Sequence, residues 1–127
     1  MLGNNGASRS RRSNTQIAAV LTAPDPITLT AAVRDGGTST IVMSPAEGQL
    51  VFAASRLAPL PKSKCYMLWL LRPGRDIPAS RLPPPVDRMP GPVVVTGITD
   101  HDHLGLSVEP AHGSSRPTSA MLINVTL

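Results

Sequence analysis

The sequence predicts an all-β domain, an immunoglobulin-like β-sandwich of about seven or eight strands. Three observations carry the prediction. Fourteen prolines and ten glycines interrupt 127 residues at short intervals, which leaves little room for long helices. From residue 27 onward, apolar residues recur with period two instead of 3.6. Turn-forming clusters separate the apolar runs at the spacing of short strands.

Composition sets the frame. A chain of 127 residues fits one domain and buries on the order of two thirds of the surface its unfolded form exposes. Charged residues make up only 16% of it, against roughly 25% in typical soluble proteins, so Ser, Thr, Pro, Gly and Ala must form much of the surface. The apolar blocks 41–43, 50–54, 65–71 and 93–95 require burial, which argues against disorder throughout. Cys65 is the single cysteine, so no intramolecular disulfide and no four-thiolate metal site can form. On an apolar strand it reads as a small buried hydrophobe, not a reactive thiol.

Residues 1–13 read as a disordered basic tail: Arg9, Arg11 and Arg12 have nothing apolar behind them to bury, and no signal peptide follows from them. Asn14 is placed to cap a short helix over 15–23, with Ile17, Val20 and Leu21 on one side; Pro24 and Pro26 end it. That makes 14–23 a linker helix and 27–127 the sandwich. Predicted strands are 27–33, 38–44, 49–55, 64–71, 75–82, 92–97, 104–109 and 120–127. Asp35-Gly36-Gly37, Ser44-Pro45-Ala46-Glu47-Gly48 and Arg72-Pro73-Gly74-Arg75 supply tight connections, and 83–90 forms a proline-rich surface loop. The strand at 64–71 is apolar on both faces, Tyr66, Leu68 and Leu70 on one and Met67, Trp69 and Leu71 on the other. It therefore belongs at the centre of the sandwich, with the Trp69 ring buried.

Chemistry-bearing residues are few. His101 and His103 fall on one side of an extended segment and form the one candidate metal pair, with His112 and Cys65 as remoter possibilities; a solvated loop is the preferred reading. Glu109, at a strand end before Pro110, reads as structural, accepting N–H groups from the Gly113-Ser114 turn or pairing with an arginine. No nucleophile motif or phosphate loop is present, so neither catalysis nor a cofactor is expected. The net charge of +4 and pI near 10.2 raise a nucleic-acid reading. The scattered cations and only three aromatics, Phe52, Tyr66 and Trp69, all on apolar strands, argue against it.

Five segments in order, covering 16–127, carry a resemblance. Val20-Leu-Thr-Ala-Pro-Asp25, Gly37-Thr-Ser-Thr-Ile-Val-Met-Ser44, Leu57-Ala-Pro-Leu-Pro61, Tyr66-Met-Leu-Trp-Leu-Leu71 and Val108-Glu-Pro-Ala-His-Gly-Ser-Ser-Arg-Pro-Thr118 are together similar to the carboxy-terminal domain of anti-sigma-K (RskA-type) factors. The resemblance marks Trp69, Glu109, Pro110, Gly113, Pro117 and Thr118 as structural signature positions. It implies the extracytoplasmic sensor side of a cell-membrane regulator. In that family an amino-terminal domain holds a sigma factor, one membrane helix joins the two domains, and a site-1-type protease makes the first cut. Neither of those first two parts is expected in this chain, which reads as an isolated sensor-side domain, a fragment or a shortened gene product. The alternative is a small metal-binding module built on His101 and His103.

Overall fold

The computed structural model describes residues 17, 20, 26–83, 92–99 and 101–127. The expected basic tail, most of the linker helix, Asp100 and the 83–90 loop beyond Pro83 lie outside the described residues. Within the linker, Ile17 and Val20 have helical backbone, and Val20 is fully buried.

Eight strands follow: β1 (Ile27–Ala32), β2 (Thr38–Ser44), β3 (Gln49–Ser55), β4 (Lys64–Arg72), β5 (Arg75–Arg81), β6 (Val93–Thr96), β7 (His103–Pro110) and β8 (Ile123–Thr126). They form two four-stranded antiparallel sheets, ordered β1-β2-β3-β6 and β5-β4-β7-β8. The eight-stranded sandwich expected from the period-two pattern is thus the observed architecture. Its likeness to immunoglobulins lies in size and layering. The strand order is its own, because β2 and β3 share a sheet where the second and third immunoglobulin strands sit in opposite ones.

Alternation along each strand decides what goes inside. Ile41, Leu50, Phe52 and Val95 from the first sheet meet Leu68, Leu70, Leu104 and Leu106 from the second in one buried cluster. Register stacks these residues across strands: Ile41 opposes Phe52, Leu68 opposes Leu106 and Leu70 opposes Leu104. Pro78 is tolerated because β5 is an edge strand, and a bulge beside it shifts the β4–β5 register between Leu68 and Trp69. Among the described residues no helix is long and apolar enough to cross a membrane.

The first hairpin shows how tightly the turns are specified. Gly37 sits at φ +101°, and a Cβ there would lie 2.7 Å from the Ser55 carbonyl oxygen and 2.9 Å from that of Arg56. Gly74, at φ +70° in the β4–β5 turn, has open space around it. Alanine strains the backbone at both positions but meets rigid backbone only at 37. Gly37→Ala should cost about 1–3 kcal/mol and clearly more than Gly74→Ala; urea midpoints of the two variants check the ranking.

Candidate functional site: the Glu109 corner

Trp69 is fully buried, as its sequence suggests, but not in the core between the sheets. Tyr66, Leu68 and Leu70 take the core face of β4, so Met67 and Trp69 point to the opposite face of that sheet. The placement of Trp69 at the centre of the sandwich is corrected accordingly. What allows the burial is the strand next door. Gly105 of β7 stands opposite Trp69, and a Cβ on it would lie 2.8 Å from Met121 Sδ and 3.0 Å from Leu71 Cδ1. The missing side chain makes room for Met121, which arrives on the segment between β7 and β8. Ser119 and Leu122 of this segment bond to Val108 and Leu106, so it runs beside β7 at the sheet edge and lends Met121 to the outer face.

A chain of buried polar groups ties this segment down. Trp69 Nε1 donates to Ser107 Oγ at 2.8 Å, and Ser107 Oγ donates to Glu109 Oε2 at 2.5 Å. The Glu109 carboxylate also accepts from the Thr118 N–H, 3.0 Å to Oε1 and 3.1 Å to Oε2, and from the Thr118 hydroxyl at 2.6 Å. Glu109 is fully buried. Burial pushes its carboxyl upward, but the bonds from Ser107 and Thr118, with a further one from the Ser114 side chain, outweigh that and hold it below the ordinary value. The role expected of Glu109 is structural, and these contacts are structural. Among the described residues its partners are Ser107, Thr118 and Ser114, with no arginine and no N–H from Gly113 or Ser114 among its hydrogen bonds.

The other signature positions shape the return of the chain. Pro110 ends β7, and its carbonyl accepts the Gly113 N–H at 2.7 Å and the Cys65 thiol at 3.3 Å. Gly113 turns with φ +86°, pressed against Arg81, whose Cδ would lie 3.2 Å from a Cβ there. Arg81 Nη1 donates to the Ala111 carbonyl at 2.9 Å. Pro117 has no N–H, so donation to the carboxylate begins with Thr118. Beyond it, Ser119 Oγ donates to Val108 O at 2.7 Å and accepts from Val108 N at 3.2 Å, standing in for a backbone partner. Regular pairing therefore begins at Ile123 and not at Ala120, where period-two reasoning put it.

The His101–His103 loop departs from expectation as well. His101 is exposed and adopts φ 71°, a left-handed conformation, so the segment is not extended there and alternation does not align it with His103. His103 Nδ1 lies 2.8 Å from Asn124 Oδ1. Among the described residues no three potential ligands gather around a metal position. Asp102 between the histidines, which sequence reasoning left in a solvated loop, is 1% exposed. Arg72 grips it twice, Nε to Oδ1 at 2.7 Å and Nη2 to Oδ2 at 3.0 Å, while Thr99 N–H donates to Oδ2 at 2.8 Å. The Arg72 bonds hold this carboxyl below its ordinary value. Cys65 is half-buried instead of buried, and burial pushes its thiol up, away from reactive thiolate. Phe52, Tyr66 and Trp69 are all buried and offer no ring for base stacking.

Two expectations follow. Trp69→Ala should cost about 3–5 kcal/mol, a large part of a typical domain's stability, and wild-type emission should be blue-shifted and poorly quenched by acrylamide. Both carboxyls titrate lower folded than unfolded, so unfolded chains take up protons first. Stability should hold above the unfolded values near 4 and fall as pH drops below them toward the folded values. Glu109→Gln should lose about 1–3 kcal/mol at neutral pH from mismatched buried hydrogen bonds, and its acid decline should be shallower than wild type. Denaturation midpoints between pH 7 and pH 3 test both.

The family model described as anti-sigma-K factor RskA, C-terminal, matches residues 2–121. A protein of Streptomyces griseus named for its place in the phr 5' region is 35% identical over 114 residues, covering 89% of this chain and 47% of its own length. The anti-sigma-K factor RskA of Mycobacterium sp. strain KMS is 31% identical over 128 residues, covering 99% and 52%, and that of Mycobacterium ulcerans is 28% identical over 119, covering 94% and 51%. No solved structure matches. This chain spans about half the length of these relatives, and it belongs to the family of anti-sigma-K factor RskA carboxy-terminal domains.

Proposed function

We propose that this chain is the extracytoplasmic regulatory domain of an anti-sigma factor, and that it restrains regulated proteolysis by staying folded. In this reading another part of the whole protein holds an extracytoplasmic-function sigma factor, a membrane helix separates the two parts, and a site-1-type protease makes the first cut. The family supports the regulatory role.

The observation that carries the reading is the closure of the Glu109 corner. The segment that returns after β7 is fastened through one buried carboxylate, which also holds the Trp69 indole through Ser107, so opening it strands a charge and breaks that chain of bonds. A return held this way resists piecemeal loosening, which suits a domain whose folded state withholds a cleavage site. The buried polar side chains favour regulation over catalysis. Ser39 donates to the Ala31 carbonyl, Ser44 accepts the Glu47 N–H, Asp102 pairs with Arg72, and Ser107 and Glu109 serve the corner. Each has a structural partner.

Two measurements test the proposal. The purified chain should not retain a sigma factor in a pull-down, and stoichiometric capture would contradict it. In a full-length relative, alanine at the position matching Trp69 should release the sigma factor and produce the first cleavage product without any inducing signal. A variant that unfolds the domain yet leaves cleavage at its basal level would sink the mechanism.

A further inference from the structure

We propose that the groove beside the Glu109 corner binds a single-chain anionic lipid, one carboxylate or phosphate headgroup carrying one acyl chain. The groove has a volume of about 820 Å³, within the roughly 300–1,000 Å³ common for small-ligand sites. Its apolar surface comes from Leu60, Pro59, Pro61 and Pro83, with Tyr66 and Leu82 buried beneath them. Prolines contribute no N–H, and the neighbouring donors are already committed. Lys64 N bonds to Pro61 O, Leu82 N to Tyr66 O, Ala111 N to Ser63 O, and the Tyr66 hydroxyl to Ala58 O at 2.5 Å. An extended peptide would find no ladder of backbone partners here, which disfavours strand addition.

Charge supplies the rest of the argument. Lys62, Lys64 and Arg81 are exposed and line the groove, and among the described residues no carboxylate lines it. The nearest acid along the sheet, Glu109, opposes Cys65 across the strands but is fully buried and committed to Ser107 and Thr118. Arg81 is held in place by its bond to Ala111 O and its packing on Gly113. Three cations beside an apolar trough match an anionic head and an apolar tail. A single-stranded nucleic acid would stack its bases on exposed aromatic faces, which the buried Tyr66 does not provide. The site belongs to the domain itself, and its test reads binding alone, so it stands or falls separately from the proteolysis reading.

The test is calorimetric titration of the 127-residue chain with sodium myristate below its micellar concentration, beside myristyl alcohol as the neutral counterpart. Saturable one-to-one binding of myristate, weakened by rising salt, is expected, with the alcohol binding far more weakly. Lys62→Ala/Lys64→Ala, both at exposed positions, should lower myristate affinity roughly tenfold with Trp69 emission unchanged. Leu60→Gln should also weaken it. Equal affinity for the alcohol, salt-independent binding or no binding overturns the proposal. So does binding to phosphatidylglycerol vesicles or to an acidic peptide without binding to free myristate, since the lysines would then serve a membrane surface or a protein partner.

Discussion

A carboxylate cut off from water must be surrounded by donors, and Glu109 imposes that condition on much of the second sheet. One donor, Ser107, comes from the same strand face two residues earlier. The others must come from chain that has left β7, which forces it to turn back within the few residues between Pro110 and Thr118. Gly113 in its left-handed conformation and the two prolines make that return. Once Thr118 has docked, the following residues have little freedom. Ser119 lies along Val108, Met121 comes to rest over Gly105, and Leu122 donates to Leu106 O at 2.6 Å before β8 begins.

The strand between the two carboxylates gains from both. Asp102 precedes β7 and Glu109 lies near its end, and each is buried with its carboxylate hydrogen-bonded. The solutions differ chemically. Asp102 takes a two-pronged guanidinium, and its backbone joins Thr99 and Leu127 through N–H and carbonyl. Arg72 also reaches Gly97 O at 2.9 Å, so the end of β4, the loop after β6 and the chain's last residue meet at one point. Glu109 relies on hydroxyl and amide donors, which fix direction more than they supply attraction. One carboxylate holds elements together by charge; the other closes a corner by geometry.

Most strands were legible because period two and turn residues act locally. The bounds of β2 and β3 agree with the predicted 38–44 and 49–55, and the others differ by one residue at one or both ends, except β8, which begins three residues later than predicted. What sequence alone could not supply was the partner of each polar group. An acidic residue between two histidines looks solvent-exposed until Arg72, thirty positions earlier, is seen to grip it. Trp69 was readable as buried, and alternation separated it from Leu68 and Leu70, but nothing local showed that Met121 comes to the far side beside it. The one available signal was Gly105, a glycine inside a strand pattern, which often marks close approach of another segment. The late start of β8 was hidden for a similar reason, since Ser119 replaces backbone pairing with its hydroxyl.

The two sheets divide the work unequally, and the division follows from composition. β1, β2, β3 and β6 contain no Lys, Arg, Asp or Glu, so the first sheet can contribute packing and backbone pairing but no charge. Lys64, Arg72, Arg81 and Glu109 all lie on the second sheet, with Asp102 at its border. Its outer face also bears Trp69 and Met67, which demand cover. Release of the segment after β7 would strip Glu109 of Thr118, take Met121 from Gly105 and move Ala111 away from Arg81 and the groove in a single event. Because these costs fall together, a partly open domain gains little over a fully open one. A ligand lodged beside Arg81 and Ala111 would bind only the closed form and would stabilise it by mass action. The physics of the corner thus gives the proposed regulator a means to couple occupancy of its groove to resistance against the first cut, without any moving part beyond the fold itself.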